Sequence, residues 1–234
     1  VANATATVSV SPSGHTTPPA SLSTGSSTSS GQTGGSGSGG SGGGSGSCFT
    51  SDTRVIMADG RLKAIADIRV GEIVLGQDGA RNIVTGVERV TLGARRLYGF
   101  DDGPLFVTAE HPFMTDTGWK SIDPSATAAE NRNLNVGALA PGNALVTIGR
   151  SDWRLAALGN PRSMMNTTLG LQILGAVTSS VADPQTPLFN LLLDGNHSYW
   201  VVQSTDAPLL QTISATPNTA TATEKAYLVH NKGG

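Results

Sequence analysis

GSGSCFTSDTRVIMADGRLKAI, residues 44–65, holds a sharp boundary, and what lies on each side of it decides the fold. Upstream, residues 1–47 contain 14 Ser, 12 Gly and 7 Thr and no Asp, Glu, Lys or Arg, the first charge being Asp52. Such a segment cannot bury enough apolar surface to offset the entropy of ordering it. It reads as a flexible flank, with Val1–Val10 (VANATATVSV) as the possible last strand of an upstream domain. Downstream, Arg54–Met57 and Arg61–Ile65 are short apolar runs on either side of Asp59-Gly60. Glycine supplies the positive φ that a tight hairpin turn needs, so this is a strand–turn–strand signal.

The same signal recurs. Glu72–Gly76 and Arg81–Val90 flank Asp78-Gly79, Arg96–Phe100 and Leu105–Thr108 flank Asp102-Gly103, and Leu188–Leu193 and His197–Val202 flank Asp194-Gly195. Four hairpins and no repeat of 20–50 residues predict an all-β domain. Between Trp153 and Val177 the pattern is less strand-like, so Arg154–Leu158 and Thr168–Val177 are expected as short helices or irregular insert. The 187 residues after the flank are enough for one sizeable core.

Several function classes fall away. A formal net charge of −2 implies no basic face for nucleic acid. No run of 18 apolar residues is present to span a membrane, and residues 1–10 carry no positive n-region of a secretory signal. A single cysteine allows neither an internal disulfide nor a cysteine-based zinc cage, so Cys48 matters as a thiol if it matters at all.

Four features carry candidate chemistry. A lone cysteine is ordinarily a buried apolar filler. Cys48, however, directly follows the flank, where its thiol can attack the Ser47 carbonyl through a five-membered ring and convert the amide to a thioester. Thr108-Ala109-Glu110-His111 places a threonine and a histidine three apart at a strand end. His197 follows the Asp194-Gly195 turn in LFNLLLDGNHSYWVV. The tail, AYLVHN, ends in His230-Asn231. An asparagine amide can attack its own backbone carbonyl, forming a succinimide and cutting the chain after itself, and His230 is placed to help. Taken singly, each histidine is as well read as structural, and the tail as a frayed last strand.

As an ordered set across the 184 residues from Cys48 to Asn231, these features resemble the Hint family of inteins, hedgehog autoprocessing domains and bacterial intein-like domains. CFTSDTRVIMADGRLKAI resembles its opening block, FVTAEHPFMTDTGWKSI its second, and LFNLLLDGNHSYWVV with AYLVHN its last two. ADIRVGEIVLGQDG and LAPGNAL resemble its secondary turns, with Glu72 and Asn143 where Asp is commoner.

The resemblance implies a horseshoe-like all-β fold with a pseudo-two-fold and adjacent termini, spanning residues 48–231 between flanks 1–47 and 232–234. It implies Cys48 as nucleophile of an N–S acyl shift, with Thr108 and His111 engaging and straining the Ser47–Cys48 peptide. His197 and His230 would assist Asn231 cyclisation, and Asn190 stands where many inteins carry Asp. Lys232 is not the Cys, Ser or Thr that usual splicing needs, and an ammonium with a pKa of about 10.4 is a poor nucleophile at pH 7. That departure resembles the type A bacterial intein-like domains, whose products are cleaved ends with some splicing.

The partners implied are the chain's own flanks and water, a thiol or an amine as acceptor. No nucleic acid, membrane, cofactor or metal is expected, and the module is expected to be monomeric. A secreted or cell-surface bacterial host is suggested by the resemblance alone. Two rivals remain: a Cys48–His111 hydrolase acting in trans, and a Hint module that no longer processes anything and serves in a surface protein.

Overall fold

The computed structural model describes residues 46–160, 166–203 and 225–231. The Val1–Val10 strand, nearly all of the Gly/Ser flank, and Lys232 with the residues after it lie outside the described residues. Strands dominate, as expected: β1 Phe49–Thr50, β2 Arg54–Ile56, β3 Leu62–Ala64, β4 Ile73–Leu75, β5 Arg81–Thr91, β6 Leu97–Phe100, β7 Phe113–Thr115, β8 Gly118–Ser121, β9 Gly137–Ala138, β10 Ala144–Gly149, β11 Leu169–Ile173, β12 Val177–Ser180, β13 Pro187–Leu193, β14 Ser198–Val202 and β15 Lys225–His230. Two short helices interrupt them, α1 Pro124–Glu130 and α2 Arg150–Ala157.

The central strands are apolar on both faces because they separate two cores. In β14, Tyr199 and Val201 enter one core while Trp200 and Val202 enter the other. In β15, Tyr227 and Val229 face the first and Ala226 and Leu228 the second. This is the period-2 alternation of a strand, with apolar residues wanted on either side. These two strands pair with each other inside a nine-stranded sheet ordered β3-β2-β14-β15-β10-β7-β8-β9, with β11 added on β10. A four-stranded sheet, β1-β13-β5-β4, carries the N-terminal end.

Two turns repeat each other. Arg69 N donates to the Glu72 carboxylate and Ala140 N to Asn143 Oδ1, each across three residues. Gly71 (φ 89°) and Gly142 (φ 93°) take the left-handed conformation that favours glycine. Gly71 N bonds Val84 O and Val84 N bonds Glu72 O; Gly142 N bonds Leu174 O and Leu174 N bonds Asn143 O. Glu72 and Asn143 thus do the same capping work, and the expected pseudo-two-fold is visible in the backbone.

The Asp59-Gly60 and Asp78-Gly79 hairpins form as read, β2 with β3 and β4 with β5. At Asp102-Gly103 the return segment pairs with β6 only through the Tyr98–Val107 bridge. The Asp194-Gly195 turn is not a hairpin. β13 pairs with β1 and β5, whereas β14 pairs with β2 and β15 in the other sheet. Asp194 Oδ1 accepts from Ile83 N at 2.6 Å, and His197 adopts φ 55°, so the turn hands the chain from one sheet to the next. Of the uncertain insert, Arg150–Ala157 is helix, but Leu169–Ile173 is an antiparallel strand on β10.

Candidate functional site

At the N-terminal junction Gly46 and Ser47, which the composition assigned to the flank, are buried and hydrogen-bonded. Gly46 O accepts from Arg95 Nη1 at 2.7 Å. Ser47 donates both its N–H (2.8 Å) and its Oγ–H (2.9 Å) to Glu130 Oε2. Cys48 N donates to Thr108 Oγ1 at 3.0 Å, and Cys48 O accepts from Thr108 N at 3.0 Å. Thr108 therefore grips the nitrogen of the Ser47–Cys48 peptide.

Burial pushes the Cys48 thiol up to about 12, and the Arg95 guanidinium pulls against that while Glu110 and Glu88 reinforce it. Arg95 is itself held by Glu110 Oε1 at 3.0 Å, with both side chains largely buried.

His111 is fully buried among the rings of Phe49, Phe113 and Tyr199. Neither of its ring nitrogens makes a well-formed hydrogen bond. Burial first, then the neighbouring His230, holds its pKa down to about 3, although the Ser47 backbone lies close enough to raise it somewhat. It is thus neutral at pH 7. Near the C-terminal junction His197 takes the left-handed region, at φ 55°.

The C-terminal junction lies next to it because β15 ends on the segment after His111: Val229 pairs with Phe113, and His230 N bonds Pro112 O. Asn231 N bonds His197 O at 2.9 Å, and its side-chain Nδ2 donates to Leu191 O. The Asn231 backbone oxygen is contacted by His230 Nδ1 and, at 3.5 Å, by Asn131 Nδ2. Since a carbonyl only accepts, Nδ1 of His230 carries its proton, as does Nδ1 of His197, which bonds Leu193 O at 2.9 Å. The two imidazoles lie 6.0 Å apart. Burial, and then the charge of His197, lower the His230 pKa against the opposing bond to Asn231.

The structure therefore brings Ser47, Cys48, Thr108 and His111 together, and His197, His230 and Asn231 together, at adjoining junctions. Asn190 is fully buried but occupied elsewhere. It donates to Glu88 Oε2 at 3.2 Å, its direct cross-strand partner, and accepts from Tyr199 Oη at 3.4 Å. A carboxylate is present in this region, one strand over.

Sequence reasoning missed Arg95, Glu130, Asn131 and Glu88. A signal for the helix that carries Glu130 was available. Asp123-Pro124 is an N-cap followed by proline at the first helical position, and Asp123 Oδ1 does accept from Ala126 N at 3.0 Å. Thr127 then ties α1 to the backbone of Glu110 at 2.6 Å. No cluster suited to a metal ion occurs among the described residues.

An all-β module whose two ends converge on neighbouring reactive groups is the class this geometry defines. Residues 48–101 match the family model described as Hom_end-associated Hint. Over 55 residues, 24% of this chain, it is 44% identical to the catalytic subunit of the V-type proton ATPase of Candida tropicalis; that stretch is 4% of the length of that protein. Among solved structures, the bacterial intein-like domain from Clostridium thermocellum is 18% identical, covering 79% of this chain and 98% of that one, with a TM-score of 0.48. The gp41-1 intein is 20% identical over 67% of this chain and 94% of that one, with a TM-score of 0.44.

Proposed function

We propose that this chain cleaves itself at both junctions and joins its flanks as a minor outcome, in the manner of a type A bacterial intein-like domain. The observation that carries this reading is the convergence on two consecutive residues. Glu130 binds Ser47, and Asn131 reaches the backbone oxygen of Asn231, so the two ends of a 185-residue span meet at the end of α1.

In the first step the Cys48 thiolate attacks the Ser47 carbonyl carbon. The Ser47–Cys48 C–N bond breaks, a thioester forms, and the departing nitrogen, held by Thr108, takes a proton with the help of His111. In the second step Nδ2 of Asn231 attacks the Asn231 carbonyl carbon. A succinimide forms, the bond to Lys232 breaks, and the Lys232 nitrogen takes up the proton. His230 Nδ1–H faces the oxygen on which charge develops, the placement expected of an oxyanion donor. His197 positions the segment through its backbone carbonyl and assists proton transfer. The freed α-amine, with a pKa of about 7.7–8.0, is partly neutral at pH 7 and can take the acyl group in competition with water or a thiol.

Burial of Cys48 and His111 at 1% and 0% exposure favours attack on the chain itself over action on a second protein. A fusion with a distinct domain on each side, followed by intact mass, tests the reading. Both flanks are released from the native sequence, Cys48→Ala retains the N-terminal flank, and Asn231→Ala retains the C-terminal one. Native and Cys48→Ala fusions with equal N-terminal stability in dithiothreitol would overturn the thioester step. Dilution separates the rival, because self-processing is first order in protein and action in trans is not.

A further inference from the structure

The residue just before the cut is bound as a substrate is bound. Ser47 is 3% exposed, and one carboxylate oxygen, Glu130 Oε2, accepts from both its N–H and its Oγ–H. On the other side Gly46 O is fixed by Arg95. Hydrogen bonds to a carboxylate are shorter and stronger than neutral ones. A hydroxyl donor at position 47 is therefore matched to its acceptor.

From this geometry we infer that Glu130 is a specificity-determining residue, selecting serine over apolar residues at position 47 for the N-terminal reaction. The inference rests on the self-processing reading and extends it to the sequence of the flank the module will release. Carboxylate and hydroxyl together fix the residue on the N-terminal side of the Ser47–Cys48 peptide. An alanine at 47 keeps the backbone bond and loses the side-chain one. A leucine at 47 loses the side-chain bond and sets an apolar side chain against the Glu130 carboxylate.

The test is a double-mutant cycle on the two-flank fusion. Ser47→Ala, Glu130→Gln and the double variant are compared for dithiothreitol-driven release of the N-terminal flank. Cleavage after Asn231 in the same molecules reports on the integrity of the fold. Each single change slows release about tenfold, the loss of one charge-assisted hydrogen bond. The double variant is slowed by clearly less than the product of the singles, because both changes act on the Ser47 Oγ–H bond to Glu130, while the backbone N–H bond persists in Ser47→Ala. Ser47→Leu is slower than Ser47→Ala in both backgrounds, and cleavage after Asn231 stays within about twofold throughout.

A double variant slowed by the product of the singles overturns the proposal. So does release from Ser47→Ala at the native rate, or a loss of cleavage after Asn231 that parallels the loss of release. If the native fusion shows no thiol-dependent release, the self-processing reading falls and takes this proposal with it. Native release with no discrimination at position 47 overturns this proposal alone.

Discussion

The two junctions differ in what holds them back. At Ser47–Cys48 both backbone nitrogens are bonded, but the proposed nucleophile is a thiol kept protonated by burial, its pKa pushed up to about 12. At Asn231 the backbone carbonyl is contacted by two side-chain donors, the side-chain amide donates to Leu191 O, and its Oδ1 is buried without a partner among the described residues. On the proposed mechanism, one junction is gated by a proton and the other by side-chain orientation. The difference teaches that the two cuts need not be timed together, and each has its own means of being switched off.

The sharpest way to break the comparison is to remove each reacting atom. Cys48→Ala stops N-terminal release and leaves cleavage after Asn231 running. Asn231→Ala does the reverse. In both cases the affected cut is lost entirely, read by intact mass. A module in which either change stops both cuts has its steps in strict sequence, and the independence argued above is gone.

The next largest effect falls on the groups around the N-terminal peptide. Thr108→Val removes the acceptor at the Cys48 nitrogen while keeping a branched side chain, and slows N-terminal release by about 10²-fold or more, within the usual range for positioned proton transfer. Cleavage after Asn231 is little changed, because Thr108 makes no bond to that junction among the described contacts.

Proton gating predicts a pH dependence for one junction only. Below a pKa near 12 a thiol ionises about tenfold more for each unit by which the pH rises. N-terminal release therefore climbs steadily from pH 6.5 to 9.5 with a slope near one and no plateau, whereas cleavage after Asn231 follows a flatter profile. Arg95→Leu removes the charge that draws the thiol pKa down and slows release at pH 8 by about tenfold, equivalent to one unit of pKa. Arg95→Lys restores part of it. Quench-flow or gel time courses across pH check both, and a plateau below pH 9 contradicts the high pKa.

Much of this site was legible before the structure. Thr108, His111, His230 and Asn231 sit in local patterns whose chemistry can be read from the residue types, and Cys48 marks a boundary that composition alone reveals. The first two hairpins were legible for a local reason as well: Asp59-Gly60 and Asp78-Gly79 join strands that pair with each other directly across the turn. Asp194-Gly195 carries the same dipeptide and misleads, because which sheet β14 joins is decided by its alternating burial against two cores, a tertiary fact. Glu130 and Asn131 were illegible for the same kind of reason. Their partners Ser47 and Asn231 lie 83 and 100 residues away, and no short pattern encodes that approach. Arg95 is likewise 49 residues from the carbonyl it holds.

The effect furthest from the chemistry is on stability, and it isolates the residue that lies between the two junctions. His111 has a folded pKa near 3 against an ordinary value of 6.5, so on acidification the unfolded chain takes up a proton that the folded chain refuses. Stability is fully present above pH 6.5 and falls as pH drops toward 3, by up to about 1.4 kcal/mol per pH unit from this group alone. His111→Phe keeps a ring in the aromatic cluster and has no nitrogen to protonate. In a background made inert by Cys48→Ala and Asn231→Ala, urea unfolding at pH 6, 5 and 4 shows a shallower acid slope for His111→Phe by about that amount. At pH 7 the same variant is close to native stability, because neither ring nitrogen of His111 makes a well-formed hydrogen bond that its removal would break. Equal acid slopes would place the His111 pKa near its ordinary value. His111 would then be part-protonated at neutral pH, and the N-terminal junction would already hold its acid in the charged form.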